Sequence, residues 1–334
     1  MNMKLLVCGG CGFIGSAFIR NHLTQKPQDK IINLDSLTIG SNKDNLKQFE
    51  KNENYSFVHD DIRNLELVEK LTKDVDAIIN FAAETHVDRS ISNPKPFIET
   101  NVIGTYNLLE GARKNEKLMV HISTDEIYGD AKGEKSFTEE DSLSPSNPYS
   151  ATKAAGDNLV NAYHRTYGLN CITTRCTNNF GPYQFPEKLI PKTIIRALKD
   201  LKIPLYGDGN QVRSWIYVLD HVKAIEYLIQ KGKSGDVYNI TAWNEVSNKS
   251  IVEKILKMLE KSEDLIEYVG DRPGHDRRYS IDASKIQKIT GWTPQYKFDQ
   301  ALEETVKWYK ENPQWWEPLA DEKTLHPQPW TLDW

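Results

Sequence analysis

The sequence has few cysteines, no large excess of charge of one sign and no long apolar run. Four cysteines among 334 residues are too few for a disulfide-stabilised scaffold, which indicates a reducing, cytoplasmic environment. The net charge of -5 arises from 42 basic and 47 acidic residues spread along the chain, which argues against a nucleic-acid partner. No segment has the basic start and apolar core of a signal peptide or the length of a transmembrane helix, so we expect a soluble protein without a membrane partner.

Hydrophobic residues make up 39% of the chain, enough for a large buried core, and the first half arranges them in a regular alternation. The predicted strands are the apolar runs KLLVCGG, KIINLD, YSFVHDDI, DAIINFAA and LMVHISTDE. Segments with helical spacing of apolar residues, such as FIGSAFIRNHL and NLELVEKLTK, separate them. This alternation predicts an α/β fold with a doubly wound parallel sheet.

The first predicted strand leads into a segment, KLLVCGGCGFIGS, that supports two incompatible interpretations. Cys8 and Cys11 form a C-x-x-C, which is typical of a redox dithiol or of half a zinc site. Gly9, Gly12 and Gly15 form a G-x-x-G-x-x-G between a strand and a helix, which is typical of a turn that binds a pyrophosphate. Because the other two cysteines lie in a later predicted strand and no second ligand pair is present, the glycine interpretation is favoured and we expect no metal.

The second predicted strand ends at Asp35, twenty residues after Gly15. A carboxylate at this place in a dinucleotide-binding fold accepts hydrogen bonds from the adenosine ribose and repels a 2'-phosphate. The glycine turn, the helix that follows it and Asp35 together predict a Rossmann domain that binds NAD in preference to NADP.

Tyr149 and Lys153, in PYSATKAAGD, are four residues apart and would project from one face of a helix. A lysine ammonium beside a phenol favours the phenolate, which can take the proton of a substrate hydroxyl as hydride leaves the same carbon for a nicotinamide. Together with the dinucleotide turn and the HISTDE strand, this pair resembles the extended branch of the short-chain dehydrogenase/reductase superfamily, which acts on nucleotide sugars.

Thr124, Asp125 and Glu126 follow a predicted strand of the same sheet, and ligands bind beyond the carboxyl ends of such strands. Oxidation and reduction of an alcohol have no use for an adjacent pair of acids. Two carboxyl groups are useful when the reaction also removes a carbon-bound proton and expels a hydroxyl as water. The residues alone leave open the alternative that the two acids only cap or solvate a loop.

Six segments spread along the chain resemble the dTDP-glucose 4,6-dehydratase family. They are STDEIYGD, FAAETHVDRSI, NNFGPYQFPEKLIP, YGDGNQVRSWIYVLDH, DRPGHDRRY and WWEPL. The acid pair after the threonine is the most discriminating feature, because related epimerases and decarboxylases usually lack it. The resemblance implies an NAD-dependent hydro-lyase of nucleotide-sugar metabolism, active in deoxysugar biosynthesis.

The resemblance also implies a role for each catalytic residue. Tyr149, assisted by Lys153, would deprotonate the sugar C4 hydroxyl as hydride passes from C4 to NAD, and Thr124 would orient the C4 oxygen. Glu126 would then remove the C5 proton while Asp125 protonates the departing C6 hydroxyl. Return of the hydride to C6 would give dTDP-4-keto-6-deoxy-glucose and restore the cofactor within one turnover.

Binding residues follow from the same resemblance. The cofactor would contact Gly9, Gly12, Phe13, Ile14, Gly15, Asp35, Ser36, Leu37, Thr38, Asp61, Ile62, Phe81, Ala82, Ala83, Thr100, Tyr149, Lys153 and Asn179. The nucleotide sugar would contact Thr85, Thr124, Asp125, Glu126, Asn178, Lys188, Leu189, Pro204, Tyr206, Arg213, Asn248, Asp271, Arg272 and His275. Its diphosphate needs cations, and an arginine can bond phosphate oxygens in bidentate fashion.

We expect the Rossmann domain to span residues 1–180, with a returning segment near 210–240. Residues 181–334 would form mainly a smaller, mixed α/β substrate-binding domain. The resemblance implies a homodimer joined through the helices that contain PYSATKAAGD and FIETNVIGTYNLLEGARK. The proline- and tryptophan-rich tail after Trp316 has no predicted role.

Three alternatives to a dTDP-glucose dehydratase stay open at this point. The chain could be a 4,6-dehydratase of a CDP-, GDP- or UDP-hexose, or a nucleotide-sugar epimerase or decarboxylase that shares the oxidising half-reaction. It could also be a non-enzymatic NAD-binding protein, since a fold does not imply a function.

Overall fold

The computed structural model describes residues 2–334. The strands are β1 (Lys4–Cys8), β2 (Lys30–Asp35), β3 (Tyr55–His59), β4 (Ala77–Asn80), β5 (Leu118–Thr124), β6 (Cys171–Cys176), β7 (Asn178–Phe180), β8 (Ile203–Tyr206), β9 (Val212–Tyr217), β10 (Val237–Ile240), β11 (Asn244–Ser247) and β12 (Ile266–Val269). The helices are α1 (Phe13–Gln25), α2 (Leu65–Thr72), α3 (Val87–Ser92), α4 (Lys95–Ile98), α5 (Thr105–Lys114), α6 (Pro148–Tyr167), α7 (Leu189–Leu198), α8 (Val218–Lys231), α9 (Asn248–Met258), α10 (Ser284–Thr290), α11 (Phe298–Glu311) and α12 (Pro313–Trp316). No helix within residues 2–334 is long and apolar enough to cross a membrane.

Seven strands form one parallel sheet in the order β10-β6-β5-β4-β1-β2-β3. The chain runs outward from β1 to β3 on one side and from β4 to β10 on the other, so the strand order reverses between β1 and β4. Ligands of open α/β sheets bind beyond the carboxyl ends of the strands at such a reversal. The predicted doubly wound Rossmann sheet is therefore confirmed.

The sheet is buried on both faces, which explains its continuous apolar strands. All four residues from Leu5 to Cys8 are completely buried, since α1 and α8 cover one face and α2, α5 and α6 cover the other. Parallel strands covered on both faces carry apolar side chains in both directions rather than an alternating pattern.

The segment DVYNI returns to this sheet as predicted, because β10 pairs in parallel with β6. The preceding strand, β9, does not join it. It forms a separate three-stranded sheet with β7 and β11, while β8 pairs with β12. These two small sheets, with α7, α9 and α11, surround a second core that contains Phe180, Trp215 and Tyr309. The domain boundary at residue 180 stays a prediction.

The segment FIETNVIGTYNLLEGARK is not one uninterrupted α-helix. Between α4 and α5 the residues Glu99–Gly104 form a π-helical turn. Gly104 lies at its end with its Cα against the Ile62 side chain, where a Cβ would overlap Ile62. Such turns occur frequently at functional sites, and Thr100 within this one lines the cleft described next.

Candidate active site

A cleft opens at the carboxyl edge of the large sheet. Nearly all of the predicted cofactor residues line it. They are Gly9, Gly12, Phe13, Ile14, Gly15, Asp35, Ser36, Thr38, Asp61, Ile62, Phe81, Ala82, Ala83, Thr100, Tyr149, Lys153 and Asn179. The predicted substrate residues that share the cleft are Thr85, Thr124, Asp125, Glu126, Asn178 and Lys188.

The glycine turn fits a dinucleotide for steric reasons. Gly9 has φ +76°, and a Cβ on it would lie 2.6 Å from the Ala82 amide nitrogen. A Cβ on Gly15 would overlap the Gly9 carbonyl oxygen, so α1 can approach β1 closely only with glycine there. Gly12, the residue before α1, makes no side-chain cap, which leaves the first amides of α1 available to an anion.

The Asp35 carboxylate is held rigidly at the end of β2. Its Oδ2 accepts the Cys11 amide and its Oδ1 accepts the Leu37 amide, each at 2.8 Å. Burial raises its pKa, and these amide hydrogen bonds oppose that shift. A fixed acid here suits the two hydroxyls of an NAD ribose and disfavours a 2'-phosphate.

Leu37 is the predicted cofactor residue that does not line the cleft. It adopts φ +54°, and its side chain packs on the hydrophobic core beside α1. Its contribution is the backbone amide that holds Asp35.

The cysteines of the C-x-x-C are packing residues. Cys8 and Cys11 are both fully buried, and burial followed by the charge of Asp35 raises the pKa of each thiol, that of Cys11 to about 12. Their thiols therefore stay protonated and unreactive at neutral pH. Within residues 2–334 no group of three or more His, Cys, Asp or Glu side chains could hold a metal ion.

Helix α6 carries the tyrosine and the lysine. It begins with an Asn147 capping box and Pro148, and Tyr149 follows in the first turn, where its amide donates to Ser90 Oγ at 3.2 Å. One turn later Lys153 Nζ donates to the Ile122 carbonyl at 2.7 Å. Both side chains are buried in the floor of the cleft, and burial lowers the pKa of Lys153 to about 8.

The protonation of Tyr149 differs from the expectation based on the lysine alone. Burial, and next the charge of Glu126, raise the pKa of Tyr149 well above its ordinary value. Lys153 opposes neither effect enough to favour the phenolate in this structure. For Tyr149 to accept a proton, positive charge in addition to that of Lys153 must therefore stabilise its phenolate.

The acid pair lies at the end of β5, where Asp125–Tyr128 form a 3-10 turn. Thr124 Oγ1 accepts the Glu126 amide at 3.3 Å and donates to Asp125 Oδ1 at 3.3 Å. Asp125 is 3% exposed, and its Oδ2 has no partner among the described residues. Burial and then the neighbouring Glu126 raise the pKa of Asp125 to about 8, which keeps it protonated at neutral pH.

This protonation has a cost in stability that can be measured. The folded-state pKa of about 8 lies above the ordinary 3.8, so between these values the unfolded chain releases a proton that the folded chain keeps, and stability falls as pH rises. We expect Asp125→Asn to raise the melting temperature at pH 8 and to change it little at pH 4. Thermal unfolding at both pH values checks this, with the exposed Asp74→Asn as control; equal shifts at both pH values would contradict it.

The remaining predicted substrate residues lie beyond the cleft lining. They are Leu189, Pro204, Tyr206, Arg213, Asn248, Asp271, Arg272 and His275. The structure brings several of them together: Arg272 Nη1 donates to Asp88 Oδ1 at 2.8 Å, and Tyr206 donates to Asp88 Oδ2 at 3.0 Å. His275 Nδ1 lies 2.6 Å from Asp271 Oδ1. Leu189 begins α7, Pro204 lies in β8 and Asn248 begins α9.

This polar cluster is connected to the acid pair through Tyr279. The Tyr279 hydroxyl is 2.7 Å from Asp276 Oδ2 and 3.4 Å from Glu126 Oε2. The Arg213 guanidinium lies 4.2 Å from the centre of the Tyr279 ring, and the carbonyls of Val212 and Asp276 fix its orientation.

Sequence reasoning missed Tyr279, Asp88 and Glu187. Glu187 lines the cleft and pairs with Arg89, at 3.3 Å between its Oε2 and the arginine Nε. All three residues lie in segments that carried the family resemblance, but no motif spacing singled them out because their partners are distant in sequence.

A NAD-type Rossmann cleft, a buried tyrosine-lysine helix and an acid pair at a strand end together define an extended short-chain dehydrogenase/reductase equipped for elimination.

Comparison with known proteins identifies the family. Residues 6–305 match the family model described as GDP-mannose 4,6 dehydratase. The chain is 46% identical to a dTDP-glucose 4,6-dehydratase of Escherichia coli, over 96% of this chain and 97% of that one. It is 50% identical to the low-salt glycan biosynthesis protein Agl12 of Haloferax volcanii, over 92% and 98%. The dTDP-glucose 4,6-dehydratase DesIV of Streptomyces venezuelae, solved with NAD bound, superposes with a TM-score of 0.93 at 46% identity, covering 95% of this chain and 100% of that one. The chain belongs to the dTDP-glucose 4,6-dehydratase family, as its motifs predicted.

Proposed function

We propose that this protein is an NAD-dependent dTDP-glucose 4,6-dehydratase that forms dTDP-4-keto-6-deoxy-glucose. The observation that carries the proposal is the acid pair: Asp125, with its pKa near 8, and Glu126 share one cleft with Tyr149 and Lys153. A protonated acid beside a second carboxyl is what an elimination of water needs. An epimerase or a passive NAD-binding protein has no use for this arrangement.

The first step is oxidation at C4 of the sugar. NAD, held along the glycine turn and Asp35, would accept hydride from C4 and later return it to C6. Tyr149 takes the C4 hydroxyl proton as a phenolate. Lys153, fixed by the Ile122 carbonyl, and the positive charge that NAD would supply when bound together stabilise this phenolate. Thr124, which lines the cleft at the end of β5, orients the C4 oxygen.

Elimination follows because the C4 ketone acidifies the C5 hydrogen. Glu126 takes the C5 proton, and Asp125 donates its proton to the C6 hydroxyl, which leaves as water and creates a C5–C6 double bond. Reduction at C6 and return of the proton from Glu126 to C5 complete the 4-keto-6-deoxy sugar. Glu126 is restored by this return. Tyr149 still holds the C4 hydroxyl proton and Asp125 has given its proton to the leaving water, so the cycle closes when Tyr149 releases a proton to solvent and Asp125 takes one up.

The protonated state of Asp125 predicts a pH dependence of turnover. Because Asp125 acts as an acid and its pKa is about 8, we expect kcat to fall as pH rises through about 8. Steady-state rates with saturating dTDP-glucose across the pH range check this. A kcat that stays constant well above that pH would contradict the role of Asp125, provided that circular dichroism shows a folded protein throughout.

The substrate is tested by product mass. Purified protein is mixed with dTDP-glucose, and in parallel with UDP-, CDP- and GDP-hexoses, without added reductant. We expect loss of one water from dTDP-glucose. Water loss from another hexose instead would keep the chemistry and change the nucleotide, while unchanged mass with every substrate would overturn the proposal.

We also propose a homodimer in the cytoplasm. Four large apolar side chains are exposed on the helices that the family resemblance assigned to the interface. They are Ile98, Ile103, Tyr106 and Tyr167, each between 40% and 56% exposed. The exposure of these apolar side chains on the helices expected at the interface supports the dimer. Sedimentation equilibrium tests it, and a mass of one chain at micromolar concentration would contradict it.

A further inference from the structure

The last eighteen residues, 317–334, here called the tail, take no part in the steps above. The end of the tail packs on α3, the short helix that begins after His86. Trp330 and Trp334 are both half-buried.

Trp330 packs against a predicted substrate residue. Its ring lies 4.8 Å from the Tyr206 ring in an edge-to-face arrangement, at an interplanar angle of 84°. Tyr206 in turn donates to Asp88, and the same carboxylate accepts Arg272. Trp330 therefore packs on the tyrosine of a partly buried network that also holds Arg272, one of the residues expected to contact the nucleotide sugar.

Trp334 packs beside Arg89, the arginine of α3 that forms ion pairs with two glutamates. The Arg89 guanidinium lies 5.6 Å from the centre of the Trp334 ring, and the Trp334 carbonyl accepts Asn93 Nδ2 at 2.9 Å. Arg89 bonds Glu84 and pairs with Glu187, which lines the cleft. The end of the chain is thus connected to the cleft wall through a single arginine.

Helix α3 reaches the catalytic tyrosine as well. Ser90 Oγ accepts the Tyr149 amide, and Val87 packs with the Tyr149 side chain. A shift of α3 would therefore move Tyr149, Arg272 and Glu187 together.

The tail is anchored well enough to restrain this helix. Arg196 Nη1 donates to the Leu325 carbonyl at 2.6 Å, and the buried Lys192 donates to the His326 carbonyl at 3.2 Å. The Leu325 side chain lies in the second core, which also contains Phe180, Trp215 and Tyr309. Both donors belong to α7, so the tail connects α7 to α3.

We infer that the tail is a brace for α3 and that Trp330 and Trp334 are positioning residues for nucleotide-sugar binding, an inference whose kinetic part rests on the proposed function. Neither indole touches the cofactor cleft, so their removal affects the substrate side and leaves cofactor binding intact.

The test compares Trp330→Ala, Trp334→Ala and Trp330→Phe with Trp243→Ala, which removes an exposed indole elsewhere. Hydrogen exchange followed by mass spectrometry needs no substrate. We expect faster exchange in residues 87–92 of both tail alanine variants, unchanged exchange in β1 and β4, and unchanged NAD content. Hydrogen exchange of residues 87–92 at the wild-type rate in both Trp330→Ala and Trp334→Ala would overturn the inference that the tail is a brace for α3.

Steady-state kinetics then separates positioning from general damage. We expect KM for dTDP-glucose to rise roughly tenfold in Trp330→Ala, because Trp330 packs on Tyr206. The fall in kcat should be smaller, since Tyr149 is also held in α6 by its own capping box. Trp330→Phe should restore most of KM because a phenyl ring keeps the edge-to-face contact. Two results would overturn the positioning role of Trp330. One is a loss of bound NAD from Trp330→Ala as large as its change in KM, and the other is a KM of Trp330→Ala as low as that of Trp243→Ala. Failure of the wild type to release water would instead reject the proposed function, leaving the exchange result to decide on the brace.

Discussion

The Glu126→Gln variant is expected to oxidise dTDP-glucose at C4 and to release no water. A glutamine amide cannot take the C5 proton, and removal of a positioned base costs about 10²–10⁴-fold in rate. We place the expected loss of dehydration at the upper end of this range, because no other described carboxyl group shares the strand end except Asp125, which is already protonated. The oxidised sugar should accumulate on the enzyme with reduced cofactor.

Stopped-flow absorbance of the reduced nicotinamide, combined with product mass, measures both halves of the Glu126→Gln reaction. The exposed Glu140→Gln is the matched control and should behave as wild type. Water loss at the wild-type rate in Glu126→Gln would reject Glu126 as the base.

The Tyr149→Phe variant is expected to lose the oxidation of the sugar at C4, which is the step before elimination. Without the phenol no group takes the C4 proton, so neither reduced nicotinamide nor dehydrated product should form, and turnover should fall about 10³-fold or more. NAD content should stay at the wild-type level, because the substitution leaves the glycine turn and Asp35, the proposed cofactor contacts, unchanged.

Tyr163→Phe is the control for this substitution, since Tyr163 lies on the same helix and bonds Glu110 away from the cleft. It should turn over at the wild-type rate. Rapid reduction of the nicotinamide by Tyr149→Phe would show that another group takes the C4 proton.

The local patterns predicted the sheet and much of the cleft. A strand followed by a glycine turn, a helix and then Asp35 is a short-range signal, and each part of it depends on sterics within about thirty residues. The acid pair was equally visible because Thr124 ends an apolar strand. These residues could be placed without knowledge of the tertiary structure.

Other features of the site could not be derived because they depend on distant contacts. Tyr279 reaches Glu126 across 153 residues, and Asp88 meets Arg272 across 184. The raised pKa of Tyr149 also results from complete burial together with Glu126, and spacing along a helix does not report burial by other elements. The contacts of the tail could not be derived from the sequence either, since its indoles follow no periodic pattern and contact elements far away in sequence.

The separate sheet formed by β9 has a similar explanation. VRSWIY is as apolar as the strands of the large sheet, and only its pairing with β7 and β11 distinguishes it. Strand pairing between distant segments is not encoded in the composition of either strand.

The central claim is that one cofactor molecule oxidises C4 and reduces C6 of the same sugar. Its most direct test uses dTDP-glucose that carries deuterium at C4, incubated with the protein in ordinary water and without added reductant. The account predicts a product lighter by one water that retains the deuterium, now at C6, as mass spectrometry and proton NMR would show. Deuterium that stays at C4 without loss of water, or that is lost to solvent, would contradict it.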